Sequence, residues 1–156
     1  MRRIRIRWEG PFSVQQVLEL NDKDDDYGLY QIYGRHVIFG AGVLLYLGRA
    51  REQTFGVRFR QHVKEWLAQE EGVSIRVGRI PREDYADEPP DWPDWSKLLA
   101  DTEALEVFWH SLPYNSSNIG EYRGQPLHVL NEGERGSLVL EFSSDQFKPR
   151  PKDDAG

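Results

Sequence analysis

Apolar and polar residues alternate strictly from Arg2 to Trp8, with Ile4, Ile6 and Trp8 on one face and Arg3, Arg5 and Arg7 on the other. A period of two marks a half-buried β-strand. The arginine face suits an edge strand that must stay soluble, and is also a surface on which a phosphate backbone could rest. Ser13 and Gln16 form a capping box that Phe12 and Val17 can staple, so a short helix to about Leu20 is predicted. An acidic turn, Asn21 to Asp26, ends it. Leu29–Tyr33 and Val43–Leu47 are rich in β-branched and aromatic residues, and the glycine-containing connection between them makes a hairpin. A symmetric hairpin has its midpoint near Ile38. Tyr30 then stands opposite Tyr46, with both phenols on one face of the sheet.

Thr54 can cap a helix to about Glu70, with Phe55, Phe59, Val63 and Trp66 as its apolar stripe. Arg58 and His62, four residues apart, share another face. Val73 to Ile80 alternates as a third strand. The segment from Pro81 to Trp95 is acidic and proline-rich and is expected to be a loop, anchored by Trp92 and Trp95. Ser96 can cap a helix through about Leu112. Its broad apolar face includes Leu98, Leu99, Thr102, Leu105, Phe108, Trp109 and Leu112, with Glu103 at the edge. Glu106 and His110 continue that line, and a solvated helix face accounts for them better than a second metal position. Pro113 stops the helix, and Tyr114 to Asn118 is a polar exit. Leu127–Leu130 and Ser137–Phe142 form a second hairpin, and 148–156 is a charged, proline-containing tail.

Composition narrows the class. A chain of 156 residues suits one domain, placed here at 1–147, and 12% aromatic residues give it material for a core. With no cysteine, disulfides, thiolate metal sites and a cysteine nucleophile are excluded. The N-terminus lacks the apolar run of a signal peptide and no stretch could span a bilayer, so a cytoplasmic protein without a membrane partner is expected. The formal charge is −6, yet the distribution is uneven. Arg49, Arg51, Arg58, Arg60 and Lys64 face Glu52 alone between positions 49 and 64, a local charge of +4. Such a patch can bind phosphates within an acidic chain.

The tripeptides Gly28-Leu29-Tyr30 and Tyr46-Leu47-Gly48 resemble the two short motifs that name the GIY-YIG nucleases, with leucine for the central isoleucine in each. The order of the polar residues downstream is similar to that family as well. Arg58 lies ten residues after Gly48, His62 one turn later, Glu103 in an apolar helix, and Asn115 twelve residues beyond it after a proline. The similarity covers about Tyr27 to Asn118, and the Arg-x-x-x-His pair resembles the restriction-enzyme-like branch. The fold it implies is α/β: a small three-stranded antiparallel sheet flanked by helices, here with an extra N-terminal strand and helix and a C-terminal hairpin.

The resemblance implies a metal-dependent endonuclease. Tyr30 would be the base, assisted by His62, and Tyr46 would orient water or phosphate. Arg58 would grip the phosphate, and Asn115 would bind phosphate or brace the glutamate. Glu103 would hold one Mg²⁺ or Mn²⁺ ion, which keeps much of its hydration shell and so can do with a single carboxylate. Arg49, Arg51, Arg60 and Lys64 are the expected nucleic-acid contacts, with DNA the favoured partner over RNA and a monomer or homodimer as the acting form. A catalytically silent binding or interaction module on the same scaffold is the competing reading.

Overall fold

The computed structural model describes residues 1–81, 92–115 and 120–147. Its elements, in chain order, are β1 (Arg2–Phe12), α1 (Val14–Leu18), β2 (Gly28–His36), β3 (Gly40–Ala50), α2 (Phe55–Glu65), β4 (Ser74–Arg79), α3 (Trp92–His110), β5 (Leu127–Gly133) and β6 (Glu141–Ser143). The strands form one curled, mixed sheet in the order β3-β2-β4-β1-β5-β6.

This corrects the expected three-stranded antiparallel sheet with appendages. β1 is neither extra nor an edge: it pairs antiparallel with β4 on one side and parallel with β5 on the other. The alternation of Ile4, Ile6 and Trp8 correctly gives the face they bury, at 2% exposure or less. Alternation carries no information about which strand lies alongside, since pairing is set by backbone groups that every residue has. The C-terminal hairpin is likewise part of the main sheet, with Val129 opposite Phe142.

The sheet is covered on both faces. Ile4, Ile6, Trp8, Leu29 and Leu47 pack with α3 on one face, and Tyr30, Ile32, Ile75 and Val77 pack with α1 and α2 on the other. β2 is buried from Gly28 to Gly34, as a strand between two helical layers should be. On the α3 face Trp8 lies over Gly78, which separates it from Leu29 of β2. The indole N–H donates to Asn131 Oδ1 at 2.9 Å, so the buried ring keeps no idle donor.

Local signals fare better than pairing. Ser13 caps α1 and Gln16 closes the capping box, although the helix stops at Leu18. Thr54 caps α2 by accepting from Val57 N, and the helix ends at Glu65 before a 3-10 turn, Leu67–Gln69. α3 starts at Trp92, four residues ahead of Ser96, because Pro93 is tolerated in a first turn and Asp94 favours the positive helix end. Trp95 is therefore a buried helical residue, and the Ser96 hydroxyl accepts from Arg51 instead of capping. The remainder of the expected acidic loop (82–91), the end of the polar exit (116–119) and the tail (148–156) lie outside the described residues. Among the described residues no helix is long and apolar enough to cross a membrane.

A methyl group on Gly78 would stand 2.7 Å from Ile6 Cγ2 and 2.8 Å from the Trp8 ring. Gly78→Ala is therefore expected to lower unfolding free energy by ~1–3 kcal/mol through overpacking. Urea denaturation followed by tryptophan fluorescence checks this.

Candidate functional site

The β2–β3 hairpin sets the two tyrosines. Near its turn His36 faces Gly40, as a midpoint at Ile38 requires. Two irregularities, between Ile32 and Tyr33 and between Gly34 and His36, then shift the register. Tyr30 consequently faces Gly48, and Tyr46 faces Ile32. The slip amounts to two residues, which preserves the side-chain alternation, so both phenols still share a face. Their ring centroids are 6.2 Å apart.

Gly48 has to be glycine. A Cβ there would run into the Tyr30 hydroxyl and come within 2.8 Å of the Tyr46 ring. Gly28 is constrained in the same way, since its Cβ would strike the Gly78 carbonyl oxygen. The motif glycines thus admit the Tyr30 phenol over one strand and the neighbouring backbone against the other.

α2 closes over the phenols with His62. The Tyr30 hydroxyl is 2.6 Å from His62 Nε2, and Trp66 Nε1 donates to His62 Nδ1 at 3.0 Å. An indole nitrogen can only donate, so Nδ1 is the unprotonated nitrogen and Nε2–H donates to the tyrosine oxygen. Burial pushes the His62 pKa down to about 4, and the Arg58 charge adds to it. His62 is therefore a neutral donor with both nitrogens engaged. Tyr30, with 0% exposure, has its own proton available for Tyr46. Burial raises both phenols, with Tyr46 and Glu103 as the chief negative neighbours, while Arg58 opposes the rise. Tyr46 is only partly buried, so it is the phenol that solvent reaches.

Arg58 touches both phenols, which hold its charge against the effect of burial. It also lines a cavity of about 330 Å³ with Arg49, Arg51, Glu52, Gln53 and Gln61. Arg49 reaches from this cavity to Glu103 on α3, where Nη1 donates to Oε2 at 3.0 Å. Burial raises the Glu103 pKa; Arg49, Arg58 and Arg51 restrain the rise. Five side chains, Tyr30, Tyr46, Arg49, Arg58 and Glu103, separated by up to 73 positions (30 to 103), thus meet across the end of one strand, β3.

The remaining candidates fall elsewhere. Asn115 is engaged with the backbone of Leu47, accepting from its N–H at 3.1 Å and donating to its carbonyl at 2.9 Å. It fixes the strand between Tyr46 and Gly48. Arg60 and Lys64 are exposed, and at 100° per residue they lie about 200° and 240° around the helix from Arg58. Trp66 and Gly48 are the contributors that hydrophobic patterning hid, although the four-residue His62–Trp66 spacing is a usable signal.

Glu106 and His110 do not form a solvated face. Glu106 is fully buried, and among the described residues neither carboxyl oxygen has a hydrogen-bond partner. His110 Nδ1 bonds the Glu106 carbonyl at 2.8 Å, while its Nε2 accepts from Val139 N at 3.1 Å. These bonds define a neutral ring. The 3.4 Å approach of Glu106 Oε2 is thus a contact between neutral groups and not an ion pair. Burial lifts the Glu106 pKa to about 8.

Among the described residues no three His, Cys, Asp or Glu side chains are grouped to hold a metal. A single carboxylate suffices for an ion that keeps its waters and takes phosphate oxygens. Glu103 fits that more modest requirement: Oε2 is committed to Arg49, and Oε1 makes no hydrogen bond among the described residues.

Two titrations test these assignments. In Trp66→Phe the His62 pKa is expected to rise above about 4, because Nδ1 loses a donor that opposes its protonation, while burial and the Arg58 charge still hold it below its ordinary value. NMR titration of the ring resonances reads it. Glu106 keeps its proton when folded and loses it when unfolded, so stability should fall as pH rises from about 4.5 to about 8. Glu106→Gln should remove this slope and raise stability at pH 8 by on the order of 2–4 kcal/mol, measured by denaturation across pH.

Comparison of the chain with protein families, curated proteins and solved structures finds no match in any of the three, so function has to be argued from these residues.

Proposed function

We propose that the chain is a metal-dependent endonuclease that hydrolyses phosphodiester bonds, with DNA as the favoured substrate. The observation that carries this reading is the meeting of Tyr46, Arg58 and Glu103 beside an arginine-lined cavity, with Tyr30 and His62 directly behind. Phosphodiester hydrolysis needs a polarised water, stabilisation of charge on the phosphate, and support for the leaving oxygen. Arg58 is suited to the non-bridging oxygens because its planar guanidinium makes two parallel bonds. Arg49 and Arg51 supply further positive charge for the flanking backbone.

Tyr46 is the group in position to meet the water, since Tyr30 has no exposed surface. Tyr30 takes a hydrogen bond from His62 and turns its own hydroxyl proton towards Tyr46, so the two buried groups donate outward and stabilise negative charge on the Tyr46 oxygen while it polarises the water. This exchanges the roles first expected of the two tyrosines and makes His62 a positioning residue. A divalent ion held at Glu103 would supply Lewis-acid stabilisation of the phosphate and leaving oxygen.

Purified protein is expected to cut plasmid DNA with Mg²⁺ or Mn²⁺. Arg58→Ala should lower the rate by ~10²–10³, the usual cost of losing one transition-state charge stabiliser. Glu103→Ala should abolish cutting while circular dichroism stays native. Plasmid, single-stranded DNA and RNA all left intact, or cutting that survives Glu103→Ala, defeats the proposal. Binding that weakens steeply with salt but leads to no cleavage would instead identify a silent nucleic-acid module.

A further inference from the structure

The turn of the β2–β3 hairpin presents three consecutive apolar residues to solvent: Val37 at 97%, Ile38 at 79% and Phe39 at 66% exposure. An exposed apolar cluster of this kind usually marks an interaction site. The tip is held in shape, because the backbone N–H groups of Ile38 and Phe39 both donate to His36 Nδ1, at 3.1 and 3.2 Å.

From this tip a series of rings leads back to the phenols. Phe39 stacks on His36 at 4.7 Å, His36 lies 6.2 Å from Tyr114, and Tyr114 lies 5.8 Å from Trp66. Trp66 is 6.1 Å from Tyr46. Phe39 and Tyr114 are the exposed members, and His36, Trp66 and Tyr46 are each partly exposed. At ~3.3 Å per strand residue the tip is about 23 Å from Tyr46. The arginine-lined cavity lies at the far end of the same strand.

We propose that this ring series is a base-stacking track for single-stranded nucleic acid, leading an unpaired strand into the phosphate-binding cavity. The phosphate-binding end of the track rests on the nuclease reading. A cationic groove combined with ring faces is the chemistry by which proteins hold single strands. Bases in a duplex already cover each other's faces and offer none to a protein ring, so the track selects unpaired segments such as flaps, bubbles or splayed ends. The Glu70 carboxylate beside the Tyr114 hydroxyl repels phosphate, which leaves Tyr114 to a base and not to the backbone. Continuity with the cavity argues for this occupant over a second copy of the chain.

The test is fluorescence polarisation in EDTA, so that no cleavage occurs, using a labelled oligothymidine of about 20 nucleotides and a blunt duplex of mixed sequence. Phe39→Ala and Tyr114→Ala should each weaken single-strand binding by roughly 5- to 100-fold, leave duplex binding unchanged, and keep the salt slope, since no charge is removed. Phe39→Trp should restore or exceed wild-type affinity. Wild-type-like single-strand binding by both alanine variants overturns the track, as does equal loss on both substrates. Sedimentation showing that wild type self-associates through the tip and Phe39→Ala does not would also overturn it. Binding is read without metal, so failure of the track leaves the nuclease reading to its own cleavage assay, and the reverse.

Discussion

The Tyr30 phenol lying across Gly48 is the contact on which the rest of the site depends. It needs a strand position without a side chain opposite the tyrosine, and a helix that covers the ring. Gly48 meets the first need. Phe59 and His62 meet the second, with ring centroids 4.8 and 5.4 Å from Tyr30. A methyl group at position 48 would push the hydroxyl out of reach of His62 and press on Tyr46 as well. Two irregularities in the hairpin are tolerated because together they shift the register by an even number of residues. A shift of one would have turned Tyr46 to the α3 face.

Burial then decides which groups are charged. Neutral phenols and a neutral imidazole can be buried at modest cost provided each donor finds an acceptor, whereas a buried charge needs a partner. The site respects this division: Tyr30 and His62 are buried and neutral, while Arg58, Arg49 and Glu103 keep some exposure or a counter-charge. On the opposite face of the sheet His110 is neutral for the same reason as His62, one ring nitrogen being occupied by an N–H donor. Glu106 departs from the rule. It is buried without hydrogen-bonded oxygens among the described residues and is kept neutral by retaining its proton.

The site also depends on β3 being the end of the sheet. An edge strand has one row of backbone groups without a strand partner, and here the segment after α3 covers part of it, through Tyr114 N to Leu45 and the Asn115 amide to Leu47. The same segment carries Tyr114 to the hairpin and brings α3, with Glu103, to within reach of Arg49. Catalytic candidates from both faces of the sheet can meet only at such an edge. An interior strand would hold them apart by the thickness of the sheet.

The sequence by itself determined the short-range features. The capping residues Ser13 and Thr54, the buried face of β1, the hairpin with both tyrosines on one side, and the order of Tyr30, Tyr46, Arg58, His62 and Glu103 follow from side-chain period, caps and turn chemistry. These act over a few residues and leave marks in composition. The tertiary structure alone decided that β1 is a central strand beside β5, that Asn115 serves Leu47, that Arg49 holds Glu103, and that Glu106 is buried without a partner among the described residues. Each of these joins positions far apart in the chain: Arg2 faces Leu127, and Arg49 is 54 residues from Glu103. Strand pairing uses backbone groups common to all residues, and burial depends on what folds over a side chain from elsewhere. Neither leaves a local pattern to read.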